Sequence, residues 1–319
     1  MLAESNPLTV DNARKRFELT ASNLPDAPVF EGYGVVICAG GRFVPSAYVV
    51  VRLLRHYGVS LPIEIWHAGE AEIPKWARRA FAPWDVDFHD VIPLYPDRPE
   101  SELRGWAIKP AALVKSKFRH TLFLDADCFP LRDLTFLFAS DEYRQSGALF
   151  WPDDKHHMMI EDAAIWGLTG LAYQGDKEFD SGLFLIDKQR CWRELSLAHW
   201  MNMHCRFWYK YTLGDKDTFY LAWRKLGTQF CLGPSSKRYR MVMTRLFWKD
   251  GQPVADHHAG ASKYQLTKRI GPFDVHLAAS HRPVTKNIYD ELMQRFIVRD
   301  FSLHVRFLQE LAALSVARE

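Results

Sequence analysis

The chain has 319 residues, 48% of them apolar and 25% charged, and a net charge of +3 spread along its length. That much apolar material builds a sizeable core and excludes a disordered chain. The charge is too small and too dispersed for a nucleic-acid footprint, so no nucleic acid is expected as a partner.

Residues 8–24 read as a short polar helix. Gly34-Val-Val-Ile-Cys-Ala39 is a continuous apolar run closed by Gly40-Gly41-Arg42, the pattern of a buried parallel strand entering a tight turn. The spacing of Val44, Ala47, Val51 and Leu54 predicts a helix over 44–57, stopped at Gly58. Leu61–Trp66 is the next strand, and the order strand, helix, strand makes a βαβ unit, so the sheet begins parallel. A helix at 74–81 and a strand at 86–92 follow. The polar, proline-containing stretch from Tyr95 to Gly105 is a loop, and Lys109–Phe118 is helical. Thr121–Leu124 is an apolar strand that runs straight into Asp125-Ala126-Asp127. Gly147–Trp151 and Gly182–Ile186 are further strands, the second followed by a helix to about 204. Asp215–Leu226 is helical, and 247–257 reads as a hairpin turning at Asp250-Gly251. The tail from Thr285 carries one or two amphipathic helices, with Ile288, Leu292 and Phe296, then Phe301, Val305 and Leu308, at helical spacing. Its expected contact is the domain itself, a partner or a membrane surface, where Arg295, Arg299 and Arg306 would meet anionic lipid.

No internal repeat, low-complexity tract or linker interrupts this order. It reads as one α/β domain with an open, mostly parallel sheet and flanking helices. The boundaries are a βαβ half over 1–128, a mixed half over 129–280 and a helical tail over 281–319. The five cysteines have no C-x-x-C spacing, and an odd number closes no complete disulfide framework. The opening segment is polar and no run of about 18 apolar residues occurs. The expectation is a cytoplasmic protein, at most peripheral to a membrane.

The chemistry concentrates where carboxylates end a strand. Asp125 and Asp127 follow four residues of buried-strand character, at the sheet end where open α/β folds bind ligands. Two like charges in such a place call for a divalent cation. The segment His257-His258-Ala259-Gly260-Ala261-Ser262-Lys263 offers an imidazole ligand, a glycine for close backbone approach and a lysine for phosphate. His257 is the expected ligand, because in an extended segment His258 points the other way. Phe179-Asp180-Ser181-Gly182 and Gly214-Asp215-Lys216-Asp217 are polar islands between apolar runs; Asp215 also suits a helix N-terminus. Ala39, Gly40 and Gly41 let a nucleotide approach the backbone, with Arg42 in reach of base or phosphate. Of eleven tryptophans, Trp66, Trp106, Trp151 and Trp248 are candidates to line a cleft and stack on sugar.

Taken in order, these segments from Gly34 to Lys263 resemble the D-x-D glycosyltransferases of the GT-A fold. The resemblance is to the glycogenin-like and bacterial galactosyltransferase group and to the fungal α-mannosyltransferases of the Golgi. It implies a nucleotide-sugar donor, GDP-mannose or a UDP-hexose, and an acceptor hydroxyl on a glycan or other molecule. It implies Mn²⁺ or Mg²⁺ held by Asp125, Asp127 and His257, around Ala126. Ala39, Gly41 and Arg42 would line the nucleotide pocket, Lys109 and Lys263 would contact donor phosphate or sugar, and Gly260 would approach the diphosphate. Asp180, Asp215 and Lys216 would be catalytic, facing donor sugar and acceptor. Two positions depart from the glycogenin-like pattern: Asp180 replaces its usual Asn and Lys216 its usual Gln. The implied reaction retains the anomeric configuration and gives an α-linkage. An Asp-nucleophile phosphatase and a sugar nucleotidyltransferase are the other readings of the Asp pair.

Overall fold

The computed structural model describes residues 7–153, 163–175, 177–239, 243–258, 264–266, 275–277, 282–285 and 301–316. Four strands of the first half, β1 (Glu31–Cys38), β2 (Ile63–His67), β3 (Val86–Asp90) and β4 (Phe118–Asp125), run parallel in the order β3-β2-β1-β4. Between them lie α2 (Val44–His56), α3 (Lys75–Phe81) and α4 (Ile108–Lys115), after α1 (Val10–Ser22). Val35, Val36 and Ile37 of β1 are fully buried because helices cover both faces, which is why that strand reads as an unbroken apolar run. Ile37, Leu122 and Leu124 face a core built with α2 and α3, whereas Val36 and Phe123 face one built with α4 and later helices.

The chain next forms β5 (Cys128–Pro130), α5 (Asp141–Ser146), β6 (Ala148–Pro152), α6 (Ala164–Thr169) and β7 (Phe179–Asp187). The helices α7 (Trp192–Met203), α8 (Cys205–Trp208) and α9 (Asp215–Leu226) follow, then β8 (Cys231–Leu232). β7 enters beside β4 running antiparallel, β6 pairs antiparallel with β7, and β8 extends the sheet to seven strands. The sheet is therefore the expected open and mostly parallel one, with one reversed strand. That reversal matters for the site. The N-terminal end of β7 lies beside the C-terminal end of β4, with Leu183 opposite Leu124.

A second, antiparallel sheet has the order β5-β11-β10-β9, from β9 (Ser235–Tyr239), β10 (Met243–Phe247) and β11 (Pro253–His258). β10 and β11 form the hairpin expected around Asp250-Gly251, where Asp250 accepts from the Gln252 amide and pairs with Arg132. Short strands β12 (Gln265–Leu266), β13 (Val275–Leu277) and β14 (Arg282–Thr285) make a third sheet.

The last helix, α10 (Phe301–Val316), packs on α2 and α3 through Phe307, Leu308 and Leu311. Arg52 of α2 lies over the Trp84 and Phe307 rings and pairs with Glu310. Of the tail positions named above, Ile288, Leu292, Arg295, Phe296 and Arg299 lie outside the described residues; Arg306 is exposed and pairs with Glu310. Among the described residues no helix is long and apolar enough to cross a membrane. All five cysteines are free thiols.

Candidate functional site

Strand pairing brings together residues about 130 positions apart. β4 delivers Asp125 at its end, and the chain turns through Ala126 and Asp127 into β5. β11 lies beside β5 with His257 opposite Cys128, and the His258 amide donates to the Asp127 carbonyl. Alternation along β11 then sorts the side chains. Asp256 turns to Arg245, which binds it through two nitrogens at 2.7 and 2.8 Å, and His258 packs against Phe129. His257 faces the Asp pair. Its Nε2 is 3.7 Å from Asp125 Oδ2 and 3.6 Å from Asp127 Oδ1. Ligand atoms of Asp125, Asp127 and His257 lie within 4.8 Å of one another.

The other imidazole nitrogen is taken. His257 Nδ1 sits 3.0 and 2.9 Å from the two oxygens of Asp180, which also accepts from the Gly182 amide at 2.7 Å. Asp180, expected to face a sugar, is thus turned onto the imidazole, and it reaches there because β7 is reversed. Gly182 makes room: a Cβ there would stand 2.5 Å from His257 Nδ1. Burial works against charge on His257, but Asp180, Asp127 and Asp125 hold its pKa up to about 9. Burial pushes Asp125 up to about 6, against the pull of Lys109, with Asp127 adding to the rise. Burial also works against the charge of Asp180, yet the His257 imidazole beside it holds its carboxyl below the usual range. Two carboxylates and an imidazole oriented by a third carboxylate form a donor set that fits a hard divalent cation.

Lys109 organises the floor. Its ammonium lies 2.8 Å from Asp215 Oδ2 and 3.1 Å from Asp125, and donates to the Ser181 carbonyl and hydroxyl at 2.8 and 3.0 Å. These contacts use all three of its donors, so the residue expected to touch the donor is engaged by protein groups. Burial opposes its charge, but Asp125 and Asp215 raise its pKa above the ordinary value. Asp215, at the start of α9, is 3% exposed. Its neighbour Lys216 points elsewhere, 2.8 Å from Asp153 and also bound to Glu178. Asp217 accepts from the Leu213 amide, and burial pushes it up to about 7. Asp153 and Glu178 carry no signal in the sequence, and the segment Phe179–Gly182 stands out there only through Asp180, because nothing local marks Ser181 or Gly182 as a partner of Lys109 or His257.

Ala39, Gly40, Gly41 and Arg42 follow β1, next to β4 in the sheet; Ala39 is buried and Arg42 exposed. The Glu72 side chain lies against Gly40 and Gly41. Ala126 is buried between the two aspartates. Gly260 and Lys263 lie outside the described residues. Trp66 and Trp151 are core residues, Trp248 is half-buried, and Trp106 is exposed.

A family model described as "Mannosyltransferase putative" matches residues 32–167 and 171–245. The alpha-1,2-mannosyltransferase MNN2 of Candida albicans is 32% identical over 152 residues, 44% of this chain and 24% of that relative. The alpha-1,2-mannosyltransferase MNN5 of Saccharomyces cerevisiae (strain ATCC 204508 / S288c) is 24% identical over 250 residues, 59% of this chain and 42% of its own length. The chain thus spans less than half the length of these relatives. Among solved structures, a galactosyltransferase LgtC in complex with donor and acceptor sugar analogues aligns with 63% of this chain and 73% of its own, at TM-score 0.46 and 16% identity. The family match takes in Lys109, Asp125, Asp127, Asp180 and Asp215 and stops short of His257. On that match the chain belongs to this mannosyltransferase family.

Proposed function

We propose that the chain is a metal-dependent glycosyltransferase that moves a hexose, mannose foremost, from a GDP- or UDP-sugar to an acceptor hydroxyl with retention. The observation that carries this is the convergence of Asp125, Asp127 and His257 at the end of β4, with Asp180 behind the imidazole. When bound there, Mn²⁺ or Mg²⁺ supplies charge neutralisation of a diphosphate leaving group, so no protein acid is required on that side.

The remaining work falls to the chain's own groups. Asp180 keeps Nε2 of His257 turned toward the Asp pair and sets the tautomer. Lys109 fixes the Asp125 and Asp215 carboxylates relative to each other, which keeps the site preorganised. Asp215 places negative charge near the position of an oxocarbenium-like sugar carbon. The loop Ala39–Arg42 offers backbone and a guanidinium to the nucleotide. The names of the relatives favour mannose, and among the described residues no feature of the site favours a phosphomonoester.

The test is turnover of GDP-mannose, UDP-glucose and UDP-galactose with and without Mn²⁺. Slow Mn²⁺-dependent hydrolysis of one of them by the wild type, abolished in Asp125→Ala, is expected. Hydrolysis of simple phosphomonoesters with no turnover of any nucleotide sugar would overturn the proposal.

A further inference from the structure

Trp106 is the one exposed tryptophan of the eleven, all of which lie within the described residues; the residue is 56% exposed. It sits on the turn Gly105–Ala107 that opens α4, three residues before Lys109. The indole is fixed against the start of α9. A Cβ on Gly214 would stand 2.6 Å from its Cε3, and Gly214 also has φ of +73°, so space and backbone both demand glycine there. Tyr209 meets the indole edge-on at 6.0 Å between centroids. Leu213, 41% exposed, precedes Gly214 in the chain. The indole is thus held in place from one side and left open to water on the other, which no other tryptophan of the chain is.

Its position relates it to the proposed chemistry. A continuous series of contacts runs from Asp127 and Asp125 through Lys109 to Asp215, then along the backbone to Gly214 and onto Trp106. On the proposed reading, the diphosphate occupies the metal end and the transferred sugar lies near Asp215. The next position outward belongs to the acceptor. The groups that meet the indole, Gly214 and Tyr209, and its chain neighbours Gly105 and Ala107 carry no charge, which suits a neutral ring and not a phosphate.

We propose that Trp106 is the acceptor platform: a pyranose ring of the acceptor glycan lays its apolar C–H face on the indole, which presents the attacking hydroxyl toward Asp215. This rests on the glycosyltransferase reading. It adds a specificity residue outside the metal site, with a neutral hexose of an oligosaccharide as its ligand.

The experiment uses the full chain, a mannotriose as acceptor and the nucleotide sugar that the wild type hydrolyses. Trp106→Leu keeps an apolar side chain against Gly214 but removes the aromatic face. It is expected to raise KM for mannotriose about tenfold or more. Donor KM, acceptor-independent donor hydrolysis and the thermal midpoint should not move. Trp106→Phe should recover most of the loss. An unchanged acceptor KM in Trp106→Leu, or an equal rise in donor KM, would overturn the platform. Wild-type chain that turns over no nucleotide sugar would instead sink the underlying reading. Saturation-transfer NMR then tests the platform alone. Transfer from protein to mannotriose that disappears in Trp106→Leu supports it, and no transfer in the wild type contradicts it.

Discussion

His257 is held from behind by Asp180 and aimed at two further carboxylates, so its two nitrogens have separate duties. Removing the imidazole should cost most. His257→Ala is expected to weaken Mn²⁺ activation by at least about tenfold, and Asp180→Asn by about tenfold, the usual scale for a residue that orients a ligand. Gly182→Ala should mimic them, because the added methyl would push the ring off its carboxylate. His258→Ala should leave the Mn²⁺ requirement unchanged, since His258 packs on Phe129. Activity against Mn²⁺ concentration for the four variants checks this set. A Gly182→Ala variant with the same Mn²⁺ response as the wild type would show that the imidazole has another place to sit. The Asp pair was legible in the sequence because both carboxylates directly follow an apolar strand. His257 was legible through its spacing to Gly260 and Lys263 and through strand alternation. The partners of Lys109 and Lys216 were not legible. An ammonium on a flexible stem takes whichever carboxylates the fold brings near it, and those lie up to 106 positions away, as in Lys109 and Asp215.

Among the elements, the first four strands and their helices announce themselves by periodicity, and the β10–β11 hairpin by Asp250-Gly251. The reversal of β7 does not. A strand buried on both faces reads as an apolar run whichever way it points, and only its neighbours fix the direction. That reversal carries Asp180, Ser181 and Gly182 into the site, so a feature of the sheet that periodicity does not reveal shapes the candidate metal centre. The helix α10 was legible as amphipathic, but not its docking face. Leu311 is fully buried between α10 and the α2–α3 layer. Leu311→Ala is expected to lower unfolding free energy by about 2–5 kcal/mol, measured by urea denaturation. A loss below about 0.5 kcal/mol, the scale of surface substitutions, would mean that α10 does not contribute to the folded core.

For the molecule as a whole, stability should carry the signature of a buried lysine that pairs with no carboxylate among the described residues. Lys188 follows β7, donates to the carbonyls of Leu113 and Ser116, and lies 3.9 Å over the Phe30 ring. Burial pulls its pKa down to about 7, against an unfolded value of about 10.4. Between these values the unfolded chain binds the extra proton, so stability rises with pH across that window. Below pH 7 both states are protonated and the cost of the buried charge is constant. Relative to Lys188→Met, the wild type should gain on the order of 2–3 kcal/mol between pH 7 and 9.5 in urea denaturation. Parallel pH profiles would place the lysine's titration outside that window. The central claim, that the end of β4 is a divalent-metal centre serving a nucleotide diphosphate, is tested most directly by Mn²⁺ titration. The measurement is EPR of free Mn²⁺ as full-length chain is added with GDP or with UDP. The account predicts saturable binding of one ion per chain, tightened by one of the two nucleotides and weakened at least about tenfold in Asp127→Ala and His257→Ala. Mn²⁺ affinity equal in the wild type and both variants would contradict it.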